Sequence, residues 1–144
     1  MVEPDTIRLL RECDAGIKMG VSAIEEVVDR VADKRFRRCL TDCAAEHDKL
    51  KTEIQTLLDK HGDEGKDPNP IVQGISHMKT GMKLGLDDSD QTIAGLMTDG
   101  CNMGVKSLSQ YLNQYKAADE ASKDITKRLI ALEERLAVDI RGFL

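Results

Sequence analysis

Residues 16–21 read Gly16-Ile17-Lys18-Met19-Gly20-Val21, and residues 100–105 read Gly100-Cys101-Asn102-Met103-Gly104-Val105. The two stretches lie 84 residues apart, align without a gap and share four of six residues. Further on, Ile24 meets Leu108 and Val28 meets Leu112. Each region is then followed by an Ala-Asp pair, Ala32-Asp33 or Ala118-Asp119, and another long periodic stretch. This is the signature of a duplicated helical hairpin. A glycine inside a helix costs about 1 kcal/mol relative to alanine. Two Gly-x-x-x-Gly steps at equivalent points therefore predict either close approach of the first and third helices there, or glycines that are merely tolerated.

The helices follow from apolar spacing. Ile7, Leu10, Asp14, Ile17, Val21, Ile24, Val28 and Val31 alternate steps of three and four, which predicts a helix from about Asp5 to Ala32. Asp33 is a suitable N-cap for a second helix, Lys34 to Lys60, with the seam Phe36, Leu40, Cys43, His47, Leu50, Ile54 and Leu57, and Gly62 just past its end. Asp63 to Pro70 reads as a loop, and Ile71 to Leu86 as a short helix carrying Ile71, Ile75, Met78 and Met82. After the acidic turn at Asp87-Asp88-Ser89-Asp90, a third helix is expected from about Gln91 to Lys116. Its core face would be Ile93, Met97, Gly100, Gly104, Leu108, Tyr111 and Tyr115. Asp119 would cap a fourth helix running to the chain end through Ile125, Leu129, Leu132, Leu136, Ile140 and Phe143. The predicted fold class is all-α: one antiparallel four-helix bundle over residues 1–144, with hairpin 1 at 5–62, a long crossover at 63–90 containing a short extra helix, and hairpin 2 at 91–144.

Composition agrees with a helical bundle. Of the 144 residues 40% are apolar and 33% charged, while only 3% are aromatic, so the core must be aliphatic. The net charge of −5 and the mixed signs give no basic stripe for nucleic acid, and Lys34, Arg35, Arg37 and Arg38 read as a solvated face. No segment has the length of uncharged apolar sequence that a membrane helix needs. The charged stretch Met1 to Arg11 carries no signal-peptide pattern, so a cytoplasmic location is expected, where four cysteines need not pair.

The pattern also resembles the ferritin-like bundles, most closely a bacterial ferritin-like family whose domain has no assigned function. The resemblance spans nearly the whole chain. It rests on Glu12 to Gly16, on Ala45-Glu46-His47 with Leu50 and Ile54, on the acidic turn before Ile93, and on Tyr111. Di-iron members of the superfamily place one Glu on each of two helices and Glu-x-x-His on the other two. Here Glu46 and His47 are adjacent, the residue three before His47 is Ala44, and the fourth helix has Glu133 and Glu134 but no histidine. The first and third helices offer glycines at mid-length, so the resemblance does not carry over a di-iron centre.

Two other chemistries remain open. Cys39, Cys43 and His47 follow one another at i, i+4 and i+8, a stripe whose neighbours could chelate zinc, copper or iron through thiol and imidazole. Alternatively, Cys43 packs as a core hydrophobe with Cys39 flanking it. His47 and Asp14 are the two polar seam positions, offset by about 7.5 Å along the axis. His47 falls level with Met19 and Gly20, where a glycine leaves room for an imidazole that would then need a hydrogen-bond partner. His77, Met78 and Met82 could handle a soft metal, or simply pack. The expected function is non-catalytic: a bundle acting through interaction or self-association, with a homodimer formed through an exposed apolar strip that the sequence does not locate. A metal-binding or redox protein using Cys39, Cys43 and His47 is the alternative, and a ligand-binding bundle has no specific residue behind it.

Overall fold

The computed structural model describes residues 3–67 and 89–144, and is all-helical over that range. Four long helices form: α1 Pro4–Val27, α2 Lys34–Lys60, α3 Asp90–Gln114 and α4 Glu120–Asp139, with single 3₁₀ turns at Val28–Arg30 and Arg141–Phe143. The short helix expected over Ile71–Leu86, with His77, Met78 and Met82, lies outside the described residues. No helix among the described residues is long and apolar enough to cross a membrane.

Local chemistry sets the helix ends. Pro4 opens α1, where its missing N–H would have had no partner. Asp33 caps α2 by accepting from the N–H groups of Arg35 and Phe36 at 2.7 and 3.2 Å. Ser89 caps α3 through Thr92 N at 3.2 Å, and Asp119 caps α4 through Ser122 N at 2.9 Å. The end of α2 is closed by Gly62 at φ +70°, with Gly62 N bonded to Asp59 O and Asp63 N to Leu58 O. That double closure requires the left-handed conformation a glycine adopts readily.

Two ends differ from expectation. α1 stops at Val27 and not near Ala32. The β-branched run Val27, Val28 and Val31 is a poor helix former, and the chain turns extended at Val31 so that Asp33 can cap α2. The Ala32 and Asp33 N–H groups released by this are taken by Asp90 at the start of α3, at 2.8 and 2.9 Å. α4 likewise ends at Asp139 before the chain end. The 3₁₀ turn that follows lays Phe143 flat on Phe36, with centroids 4.8 Å apart.

α1 packs against α2, α3 and α4, and α4 packs against α2 and α3, so α2 and α3 stand on opposite sides of one core. Leu10, Ile17, Phe36, Leu40, Ile54, Leu58, Ile93, Leu129 and Ile140 are all essentially without solvent contact. The seams hold with local shifts: Leu58 is buried where Leu57 was expected, and Cys101 is buried where Gly100 was expected, Gly100 being exposed. The ends of the two hairpins are clasped reciprocally. Thr6 Oγ1 accepts from Asp119 N at 2.8 Å and Asp5 Oδ2 from Ala117 N at 3.1 Å, so the start of α1 holds the turn between α3 and α4. Asp90, which is 84 residues after Thr6, holds the turn between α1 and α2 in return.

Replacing Asp90 with alanine removes two charge-assisted bonds to backbone N–H groups that α1 gave up. The expected loss is about 2 kcal/mol in urea unfolding. An unchanged midpoint would show that the clasp contributes nothing to holding the two hairpins together.

Candidate functional site: a buried histidine–glutamate pair

The α2 seam carries His47 into the centre, where its side chain is 1% exposed. Its Nδ1 lies 2.8 Å from Cys43 O, the carbonyl one turn earlier on the same helix, and Cys43 Sγ stands 3.5 Å from the same nitrogen. Its Nε2 lies 2.7 Å from Glu133 Oε1 on α4. A carbonyl can only accept, so Nδ1 carries a proton. The Nε2 contact then needs a second proton, on the ring or on the carboxyl. The pair holds that proton in either form.

The electrostatics agree. Burial pushes the imidazole's pKa down, but the contacts with Cys43 and Glu133 and the negative charge of Glu133 outweigh it and hold the ring up to about 10. On α3 the Cys101 thiol lies near Glu133. Burial first, then the nearby Glu133 charge, pushes that thiol well above the ordinary thiol range. Cys13 is raised to about 11, chiefly by burial. Its S–H faces Thr126 Oγ1 at 3.2 Å, while the Thr126 hydroxyl donates to Ser122 O at 2.8 Å. Cys39 is also raised, by burial and then by Asp139 and Asp42. Thiols held in the protonated form are poor nucleophiles and poor metal ligands.

The second glycine of each pair makes room for this centre. A Cβ at Gly20 would stand 3.0 Å from His47 Nε2, 3.3 Å from Cδ2 and 3.7 Å from Glu133 Oε1. A Cβ at Gly104 would meet Glu133 Oε2 at 3.5 Å. The predicted close approach of helix backbones is therefore corrected. The nearest atoms at Gly20 and Gly104 belong to side chains from α2 and α4, and Gly16 and Gly100 face open space.

Asp14, the other polar seam position, is fully buried and does not pair with His47. Its Oδ2 accepts from Lys18 Nζ at 2.8 Å and from Lys66 N at 3.0 Å, which straps the loop after α2 onto α1. Lys66 Nζ pairs with Glu12, Lys18 reaches Asp67 at 3.1 Å, and Gly65 at φ +91° lies directly against the Asp14 carboxylate.

Of the sequence-level candidates, Cys43 and His47 are thus brought together. Cys39 is two turns from His47, about 12 Å along the axis. It lines an open groove between α2 and α4 with Arg35, Asp139 and Leu136. Met19 is half-buried and Met103 is 63% exposed. Among the described residues no three His, Cys, Asp or Glu side chains are placed to hold a metal ion. A di-iron centre does not fit the donor set: the central carboxylate and imidazole are bonded to each other, and Gly20 and Gly104 stand beside them where further carboxylates would be needed. Glu133 was missed as the partner of His47, and Cys101 as a neighbour of Glu133. A signal was present: Glu133 is fourteen residues after the cap Asp119, as His47 is fourteen after the cap Asp33.

Alanine at Gly16 or Gly100 should stabilise the protein by about 1 kcal/mol each through helix propensity. Alanine at Gly20 should give no such gain, because His47 is held at both nitrogens and cannot yield; equal gains at Gly16 and Gly20 in urea titrations would contradict the packing described. The pair also predicts a pH dependence. The folded-state value lies above the ordinary 6.5, so its stabilisation is fully present below about pH 6.5 and is lost as pH rises through about 10. The stability difference between the native chain and His47→Gln should accordingly shrink between pH 7 and pH 10. A constant difference would mean that the pair does not retain its proton.

No family model, no curated protein and no solved structure matches this chain.

Proposed function

We propose that the chain is an antiparallel four-helix bundle of ferritin-like class, akin to the bacterial family whose domain has no assigned function, and that it acts by interaction or self-association without catalysing a reaction. The observation that carries this reading is the filled centre. His47 and Glu133 occupy the space where the helices converge, and the room beside Gly20 is already taken to within 3.0 Å of a methyl position. A site for substrate would need that volume. The helix contacts and the two reciprocal clasps support the hairpin arrangement. The four free cysteines, three of them buried, suit a reducing cytoplasm.

A second reading is favoured by one contact, Cys43 Sγ at 3.5 Å from His47 Nδ1. A zinc, copper or iron site there would use thiol and imidazole from α2, with Cys39 as the outlying member. His47 would first have to leave Cys43 O.

Light scattering on the purified chain across micromolar concentrations tests the leading reading, which expects a homodimer. A strict monomer at the highest concentration would remove self-association. Elemental analysis of protein purified without an affinity metal tests the second. Stoichiometric zinc, copper or iron that is lost on Cys43→Ser or His47→Ala would replace the interaction reading with the metal one.

A further inference from the structure

His47 and Glu133 occupy equivalent positions in the two hairpins, each fourteen residues after the N-cap of the second helix of its hairpin. They also touch each other, at 2.7 Å. Two equivalent residues can meet only where the repeat's internal axis passes between them. The clasps and glycines are arranged about the same axis. Thr6 on α1 and Asp90 on α3 each bind the turn of the opposite hairpin, and Gly20 and Gly104, which are also 84 residues apart, both open space for the pair.

We propose that the His47–Glu133 contact is the recognition element by which hairpin 1 accepts hairpin 2 and rejects a second copy of itself. This goes beyond the function proposed above and does not rest on it. In a duplicated protein the surface that one hairpin offers to the other also nearly fits a like hairpin from another chain. Pairing hairpin 1 with hairpin 1 would set position 47 against position 47. With each Nδ1–H committed to its own helix carbonyl, two Nε2 lone pairs would face each other until one ring took up a proton. Pairing hairpin 2 with hairpin 2 would oppose two buried carboxylates until one was protonated. Each of the three pairings shares one added proton, but only the mixed pair then carries no net charge in the interior. A single buried polar position that fixes partner choice is a known use of such groups.

The glycines imply that the pair is reversible. A glycine faces each of the two positions, at Gly20 for His47 and at Gly104 for Glu133, so an imidazole at 133 and a carboxylate at 47 should also fit. One element is not symmetric: Cys101, whose thiol lies near Glu133, has Ile17 as its equivalent, so a carboxylate moved to position 47 lacks that polar neighbour.

The test uses the full chain with His47→Glu, Glu133→His and the double exchange His47→Glu/Glu133→His. Each single variant should lose about 10 °C in Tm, because it leaves like groups buried together. The double exchange should recover more than half of that loss, the remainder reflecting the missing thiol neighbour. The decisive arm mixes the two single variants, unfolds them in urea and refolds them together. The 21 residues between the described hairpins span up to about 70 Å when extended, longer than either hairpin, so a chain can lend its second hairpin to another copy. The mixture should give a dimer by light scattering that melts well above either variant, since both bundles of that dimer regain a His–Glu pair. If the double exchange is no more stable than the single variants, or the mixture melts as the sum of its components, the proposal fails. If Glu133→His does not fold alone, Glu133→Gln decides the matter. Its amide can donate to Nε2, so it should lose clearly less than the other single variants; a full collapse would show that complementarity at this position is not what is read.

Discussion

The contact on which the interior depends is the one between His47 and Glu133. It takes an imidazole and most of a carboxylate out of water, which is expensive. It then satisfies them closely, with Nδ1 on a helix carbonyl and Nε2 on the carboxylate, and a thiol from a third helix nearby. Net stabilisation from such pairs is often small, because attraction is offset by desolvation. Breaking one leaves an uncompensated group, and that penalty is large. The pair therefore acts more on which arrangement forms than on how stable the arrangement is. Gly20 and Gly104 follow from it, since a methyl at Gly20 would press on the ring.

The same economy governs the bundle's ends. Each hairpin turn leaves backbone N–H groups that its own helices cannot satisfy, and the start of the opposite hairpin supplies the acceptors. Asp90 serves Ala32 and Asp33; Asp5 and Thr6 serve Ala117 and Asp119. The hairpins are thus tied at both ends by backbone needs and at the middle by a side-chain pair. Aliphatic packing of residues such as Leu10, Ile17, Ile54 and Leu129 fills the remainder. The Asp14 strap adds a separate tie, holding the chain where it leaves α2 against the side of α1.

Much of this was legible beforehand. The α2 bounds Lys34–Lys60 followed from a cap and an unbroken seam, and Asp33 and Asp119 cap as expected. The room for His47 beside Gly20 followed from counting along the helices. The misses have physical causes. α1 stops early because three valines and a capping aspartate favour an extended turn that heptad counting does not register. Gly16 and Gly100 face outward because a four-residue glycine spacing says nothing about which neighbour takes up the space. Cys39 separates from His47 because i to i+8 along a helix is a long axial distance.

What the sequence determined by itself is local and periodic: helix type, caps, turns, and the burial of Asp14 and His47 on their seams. These depend on residues within one or two turns of each other, so spacing suffices to read them. Only the tertiary structure decided the partners. Glu133 for His47, Cys101 for Glu133, Asp90 for the Ala32 turn and Lys66 for Asp14 are brought together by helix packing across sequence separations of 32 to 86 positions. Several carboxylates could in principle have met the imidazole. Which one did was set by the depth to which α4 settles against α2, a property of the whole core.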